Sequence, residues 1–289
     1  MPVRLTVPTS LAGPTFPKAL DQHVTWNLSV LDLDDGVYGK PIDELNLTDV
    51  RRAVAVLEER NLSVYCLSTS LFGQEIERGR DYFRLHHLAR LDRVLKIAEV
   101  LKPRLIRLLA PQTIKRKDMK DSFDFLRTHG RWVLEIFQEA IDRIDLKGFR
   151  ATIQNQAGEC IFSNVQEILS FFKELGNRER VCLSWDVQSL WQMGTFPSVD
   201  VYEKLKPVFG YYHLRGGQHD GLRPDLRWRS CLEDASWPVL EVTRRVVKDG
   251  FSPVICVDRS LGIPRPDYDY GNCTERDIWF LRKSIPEFR

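Results

Sequence analysis

The sequence predicts an α/β protein of the (β/α)8 TIM-barrel class with a shortened or irregular first β/α unit, and three observations lead there. Short runs rich in β-branched residues alternate with longer segments of helical apolar spacing along the whole chain. Eight such runs can be counted, and this alternation implies a parallel sheet covered by helices. The chain has 289 residues, 43% of them hydrophobic, enough to bury one large core. Eight units in that length favour a closed barrel over an open doubly wound sheet, so a single barrel domain over residues 1–289 is expected.

Each unit can be read in turn. "VRLTVPT" is the first strand, but "SLAGPTFPKALDQH" after it carries two prolines and too little periodicity for a full barrel helix. "VTWNLSVLDL" then precedes "LTDVRRAVAVLEERN", where Asn46 or Thr48 is placed to cap the helix. "SVYCLST" leads into "YFRLHHLARLDRVLKIAEVL", and "RLIRLLA" into "DSFDFLRTHGRWVLEIFQEAIDRI". "FRATIQN" precedes "NVQEILSFFKELG", and "VCLSWDV" precedes "SVDVYEKLK". "VFGYYHLRG" precedes "WPVLEVTRRVVKDG", and "SPVICVD" leads to the last helix, "TERDIWFLRKSI". Gly176 and Gly250 stand where helices should stop before the next strand. No linker or low-complexity segment interrupts the series.

Composition narrows the function classes. The charges nearly cancel, 42 Lys and Arg against 40 Asp and Glu, so no global field attracts nucleic acid. The six cysteines lack a CxxC pair, and Cys66, Cys182 and Cys256 lie in apolar strand-like runs. Reduced core thiols are expected in place of a disulfide framework or zinc knuckle. No signal-like segment or membrane span stands out, so a soluble, cytoplasmic protein without a membrane partner is expected.

A parallel barrel carries its active site at the C-terminal ends of its strands, so inward polar residues closing each strand are the candidates. Thr152 and Gln154 share the inward parity in the fifth strand, Ser184 and Asp186 in the sixth, Tyr211, His213 and Arg215 in the seventh, and Cys256 and Asp258 in the eighth. Gln154, Asp186, His213 and Asp258 then form a ring of oxygen and nitrogen donors at one height, a set that suits Mn²⁺, Mg²⁺ or Zn²⁺ better than a thiolate-bound soft metal. Singly, each residue also has a structural explanation. An Asp at a strand end often caps a helix or pairs with an arginine, and a His after two tyrosines is often a satisfied core residue. Arg107 is open between a buried ion pair and a ligand contact. His86 and His87 fit the solvated face of a helix, and the glycine pair before Gln218 and His219 fits a loop.

With those residues in place the chain resembles the xylose isomerase-like TIM-barrel superfamily, the metal-dependent sugar isomerases, epimerases and dehydratases. The resemblance runs from "LDLDDGVYGKPIDELNLTDVRRAVAVLEERNLSVYCLSTSLFG" through "LARLDRVLKIAEVLKPRLIRLLA" to "YYHLRGG" and "PVICVD". Family members typically end the fifth strand with Glu-Asn-His, the sixth with Asp and a nearby His, the seventh with His-x-Lys-Asp and the eighth with Glu. Here those positions read Gln154-Asn155-Gln156, Asp186 with Ser189, His213-Leu214-Arg215-Gly216 and Asp258.

The resemblance implies metal ligation by Gln154, Asp186, His213 and Asp258, with Asp258 and Arg215 as catalytic residues. Asn155, Gln156, Trp191, Gln218 and His219 are the candidate contacts to a small carbohydrate substrate. In such enzymes the metal acidifies the C–H between a sugar's carbonyl and hydroxyl while carboxylates move the proton. A glutamine cannot accept that proton, so a two-base epimerase mechanism should fail and one-base enediol chemistry or dehydration is what the set could support. A divalent ion, Mn²⁺, Mg²⁺ or Zn²⁺, is the cofactor the resemblance implies, and because a neutral amide in place of a carboxylate weakens the pull on the ion, weak or absent binding is the second possibility. An isomerase-type enzyme acting on a small sugar or polyol-derived ketone is therefore the first expectation, and a catalytically impaired barrel that binds carbohydrate or serves as a scaffold is the alternative. A family relative that cleaves abasic DNA would need more inward His and Glu than six scattered histidines supply. The sequence leaves oligomeric state open, although members of the family are often dimers or tetramers.

Overall fold

A computed structural model describes residues 3–176, 178–221 and 225–288. The eight strands are β1 (Arg4–Thr6), β2 (Val30–Leu33), β3 (Ser63–Ser68), β4 (Leu105–Leu109), β5 (Arg150–Gln154), β6 (Val181–Asp186), β7 (Phe209–Leu214) and β8 (Val254–Val257). They form one sheet in the order β1-β8-β7-β6-β5-β4-β3-β2, parallel at every pairing. The ring closes between β1 and β2 by a different device. Pro8 bridges Asp32, and the Thr6 hydroxyl donates to the Val30 carbonyl at 2.7 Å while accepting the Asp32 amide at 3.2 Å.

The first unit is irregular, as its prolines predict. A single turn over Thr9–Ala12 precedes a ten-residue helix, Phe16–Thr25, with Pro17 in its first turn, where a missing N–H is harmless. Gly13 between them has no room for a side chain, since a Cβ there would lie 2.8 Å from the Ala19 amide nitrogen. Asn46 caps helix Leu47–Glu58 in a reciprocal box with Asp49, and Gly250 ends helix Val239–Asp249 in the left-handed conformation at φ 68°.

Some elements differ from expectation. The segment read as one helix before β5 breaks at Gly130 into Ser122–His129 and Arg131–Leu146. A short helix, Val187–Gln192, starts directly at the end of β6. In the helical run after β3, Arg84–Leu88 winds as a π-turn, which rotates His87 inward. His87 is therefore buried, stacks on Phe72 and accepts the Phe72 amide through Nδ1 at 3.2 Å, contrary to the solvated face expected for it.

Two apolar layers hold the barrel. The larger lies between strands and helices. The smaller fills the lumen with Val30, Tyr65, Cys66, Leu105, Cys182, Tyr211, Val254 and Cys256. The expected inward parity of β7 and β8 is met by Tyr211 and Cys256. A register shift between β6 and β7 supports this, with Gly210 so close to β6 that a Cβ there would lie 2.5 Å from Cys182 Sγ.

Cys66, Cys160, Cys182 and Cys256 are buried free thiols, as expected. Cys231 and Cys273 are not, because they form a disulfide across 42 residues of sequence. The loop after β7 and the start of the last helix meet in space, a proximity that spacing alone does not reveal. Among the described residues no helix is long and apolar enough to cross a membrane.

Candidate functional site

The C-terminal ends of β4 to β8 and β2 converge on one network of charged and amide groups. β6 ends in Asp186, which is wholly buried and doubles as the cap of helix Val187–Gln192. Its Oδ1 accepts the Ser189 amide at 2.9 Å. Its Oδ2 accepts Arg215 Nε at 2.8 Å and Gln154 Nε2 at 3.3 Å. The backbone of Ser189, where the family pattern has a histidine, thus serves as a capping donor.

Arg215 follows β7 and turns its guanidinium into the mouth. Nη2 donates to Asp258 Oδ2 and Nη1 to the Arg259 carbonyl, while Nε holds Asp186. Burial would raise the Asp258 carboxyl, but Arg215 and then His213 outweigh it and hold the pKa at about 2. Beside them Arg107 on β4 points inward and donates Nη1 to Gln154 Oε1 at 3.0 Å, so both ends of the Gln154 amide are engaged.

One layer deeper lies His213, fully buried. Its Nδ1 is 3.8 Å from Asp258 Oδ2 and its Nε2 is 3.4 Å from Asp32 Oδ2. Asp32, on β2, accepts the Tyr211 hydroxyl at 2.7 Å. Burial disfavours the imidazolium, but the carboxylates of Asp258 and Asp32 outweigh it and place the His213 pKa above its ordinary value.

Gln154, Asp186, His213, Arg215 and Asp258 are therefore brought together, and the other candidates are placed elsewhere. Asn155 is buried and spends its whole amide on the Asp186 backbone, donating to the carbonyl at 2.9 Å and accepting the N–H at 2.8 Å. Gln156 donates to the Ala110 carbonyl at 2.5 Å. Trp191 is buried with its ring edge-on to Phe196 at 5.3 Å, a core position and not an open stacking platform. Gln218 is held by the Asp234 carbonyl and Arg265, and His219 Nδ1 accepts the Gly221 amide at 2.9 Å, both within the loop after β7. Asp32 escaped the sequence reading, which weighed only the late strands. Its signal was the inward parity of "VLDL".

No protein-family model matches the sequence, and no curated protein matches it either. Solved structures do match the fold. The probable 3-DHS dehydratase of Bacillus anthracis involved in petrobactin synthesis superposes with a TM-score of 0.71 at 12% identity, over 96% of this chain and 98% of that one. A xylose isomerase-like TIM barrel protein from Mycobacterium smegmatis, in complex with magnesium, gives 0.71 at 14% identity over 100% and 98%. The D-psicose 3-epimerase of Clostridium cellulolyticum, with D-tagatose, gives 0.71 at 10% identity over 97% and 99%. The chain shares the (β/α)8 barrel fold of these structures.

The resemblance to xylose isomerase-like barrels would put a divalent ion among Gln154, Asp186, His213 and Asp258. The residues do not fit one there. A guanidinium already bridges Asp186 and Asp258, and both Asp186 oxygens are hydrogen-bonded. Among the described residues, the His, Cys, Asp and Glu groups whose ligand atoms lie mutually within 4.8 Å are Asp32, His213 and Cys256, and Cys231, Cys273 and Asp277. Asp186, His213 and Asp258 do not make such a group. The physical reason is charge: a planar cation satisfies two carboxylates at once and removes their attraction for an ion.

Proposed function

We propose that this chain is a carbohydrate-binding barrel in which an internal guanidinium–carboxylate network takes the place of metal-centred proton transfer, with the whole chain acting as one barrel domain. The observation that carries the reading is Arg215 held between Asp186 and Asp258. The two carboxylates at the mouth, Asp186 and Asp258, are both engaged with that cation. Gln154 is no base, and Asp258 near pKa 2 is a weak one.

A place for the ligand adjoins the network. A cleft of about 460 Å³ lies between the first β/α unit and the segment after β8, with Trp26, Arg229, Arg259, Tyr270 and Asp277 among its walls. That volume and mixture of aromatic faces with polar groups suit a small sugar. Arg259, whose carbonyl holds Arg215, connects the cleft to the mouth.

The test is calorimetric titration with a panel of ketoses, inososes and their phosphates, with and without Mn²⁺. Binding of one class without metal, and no turnover, is the expected result. Turnover that requires Mn²⁺ and disappears in Asp186→Asn would overturn it.

The isomerase-type reading keeps one observation in its favour. Asp258 is ionised and partly solvent-accessible beside Arg215, so a single base with a cation to steady negative charge is present. Metal-free exchange of a bound ketose's carbon-bound hydrogen with deuterated solvent, abolished in Asp258→Asn, would favour it over pure binding.

A further inference from the structure

The lumen beneath the network contains buried polar groups that the fold leaves without hydrogen bonds. Both ring nitrogens of His213, Asp32 Oδ1 and the Ser184 hydroxyl are buried and make no hydrogen bond, the imidazole keeping only the ion-pair approaches to Asp32 and Asp258 at 3.4 and 3.8 Å. Each such group costs free energy, and several in one place point to a bound species.

The groups around His213 have the chemistry of metal ligands. Asp32, His213 and Cys256 each direct one donor atom to a common region, all within 4.8 Å of one another, and all three residues are buried. His213 Nε2 and Asp32 Oδ2 are 3.4 Å apart. Two ligands at ordinary zinc distances on a tetrahedral centre are separated by about 3.3 Å. The other imidazole nitrogen faces the Asp258 carboxylate at 3.8 Å, longer than a hydrogen bond but on the side from which an outer carboxylate orients a metal-bound ring.

We propose that the barrel lumen binds one Zn²⁺ through Asp32, His213 and Cys256, one layer below the position at which the xylose isomerase-like resemblance would put an ion. Charge balance supports zinc. The Asp32 carboxylate and the Cys256 thiolate cancel the ion's charge with neutral His213 as third ligand, the thiol proton and any proton on the ligating imidazole nitrogen both leaving to solvent on binding, so no net charge is added in a space closed to water. A mixed oxygen, nitrogen and sulfur set suits Zn²⁺ and does not suit Mg²⁺. Tyr211 Oη, 2.7 Å from Asp32 Oδ2, is at hand as a fourth donor. The site is independent of the proposed carbohydrate binding, since none of its three ligands lines the cleft.

The full chain, expressed with added zinc and purified without chelator, should carry about one zinc per molecule. X-ray absorption at the zinc edge should report one sulfur with two or three nitrogen or oxygen ligands. Exchange for Co²⁺ should produce a thiolate-to-cobalt charge-transfer band that is lost in Cys256→Ser and kept in Asp186→Asn, with circular dichroism verifying the fold of both. A chain that retains no zinc and shows no thiolate band on refolding with Co²⁺ overturns the proposal. So does an ion with only nitrogen and oxygen ligands, or one lost in Asp186→Asn, either of which puts it at the mouth. An ion with two sulfurs also overturns it, because that ion belongs to Cys231 and Cys273. If Cys256→Ser fails to fold, the absorption spectrum of the parent decides alone.

Discussion

Arg215 Nε lies 2.8 Å from Asp186 Oδ2, with Asp186 wholly buried and the arginine side chain 11% exposed. The pair joins the ends of β6 and β7 and, through the same guanidinium, Asp258 after β8. Both structural explanations open to Asp186 in the sequence, a helix cap and an arginine partner, hold at once, one on each oxygen.

Removing the cation should be costly. In Arg215→Ala two carboxylates share a buried site uncompensated, and unfolding free energy is expected to drop by roughly 3–5 kcal/mol in urea titrations. The same variant frees Asp186 and Asp258 for an ion. Added Mn²⁺ should raise its melting temperature while leaving that of the parent unmoved.

Asn155 brackets the end of β6 from β5. Asn155→Ala leaves the Asp186 N–H and carbonyl buried without partners, at a cost of roughly 2–4 kcal/mol. Loss of stability with sugar binding unchanged at low temperature would identify it as a positioning residue. A selective loss of affinity would instead make it a ligand contact.

Asp277 introduces a pH dependence away from the mouth. Burial raises its carboxyl from 3.8 to about 7, against the opposing effect of the Leu232 amide. Between those values the folded state binds more protons than the unfolded one, so stability is full below about pH 4 and falls as pH rises towards 7. Asp277→Asn retains an acceptor for the Leu232 amide at 2.6 Å and should flatten that slope, recovering roughly 2–4 kcal/mol at neutral pH in denaturation measured from pH 4 to 8.

The Cys231–Cys273 bridge closes a loop across 42 residues. Constraining the unfolded chain over that length stabilises by about 4 kcal/mol on the chain-entropy view. Melting under reducing conditions should be clearly lower, and Cys231→Ala with Cys273→Ala should melt at that lower temperature with or without reductant.

Much of the barrel was legible in the sequence because its signals are local. Asn46 with Asp49 marks a helix start, and Gly250 marks a stop. Alternation along "FRATIQN" and "YYHLRG" tells which residues face the lumen, so the clustering of Gln154, Asp186, His213 and Asp258 at one end of the barrel is legible in the sequence. Arg107 could not be resolved that way, since its parity gains meaning only when β4 is registered against β5, which sets it beside Thr152. Asp32 was missed for the same reason. Its partner Tyr211 lies 179 residues away, across a closed barrel.

The sequence by itself determined the eight alternating units, the irregular first unit and the substitution of an amide at Gln154 for a carboxylate, because periodicity and residue chemistry are properties of short segments. Only the tertiary structure decided that Arg215 turns back between Asp186 and Asp258, that Cys231 meets Cys273, and that Asp32 joins His213 and Cys256 in the lumen. Those outcomes depend on where barrel closure brings distant strand ends and on which side-chain directions then satisfy charges that water no longer reaches.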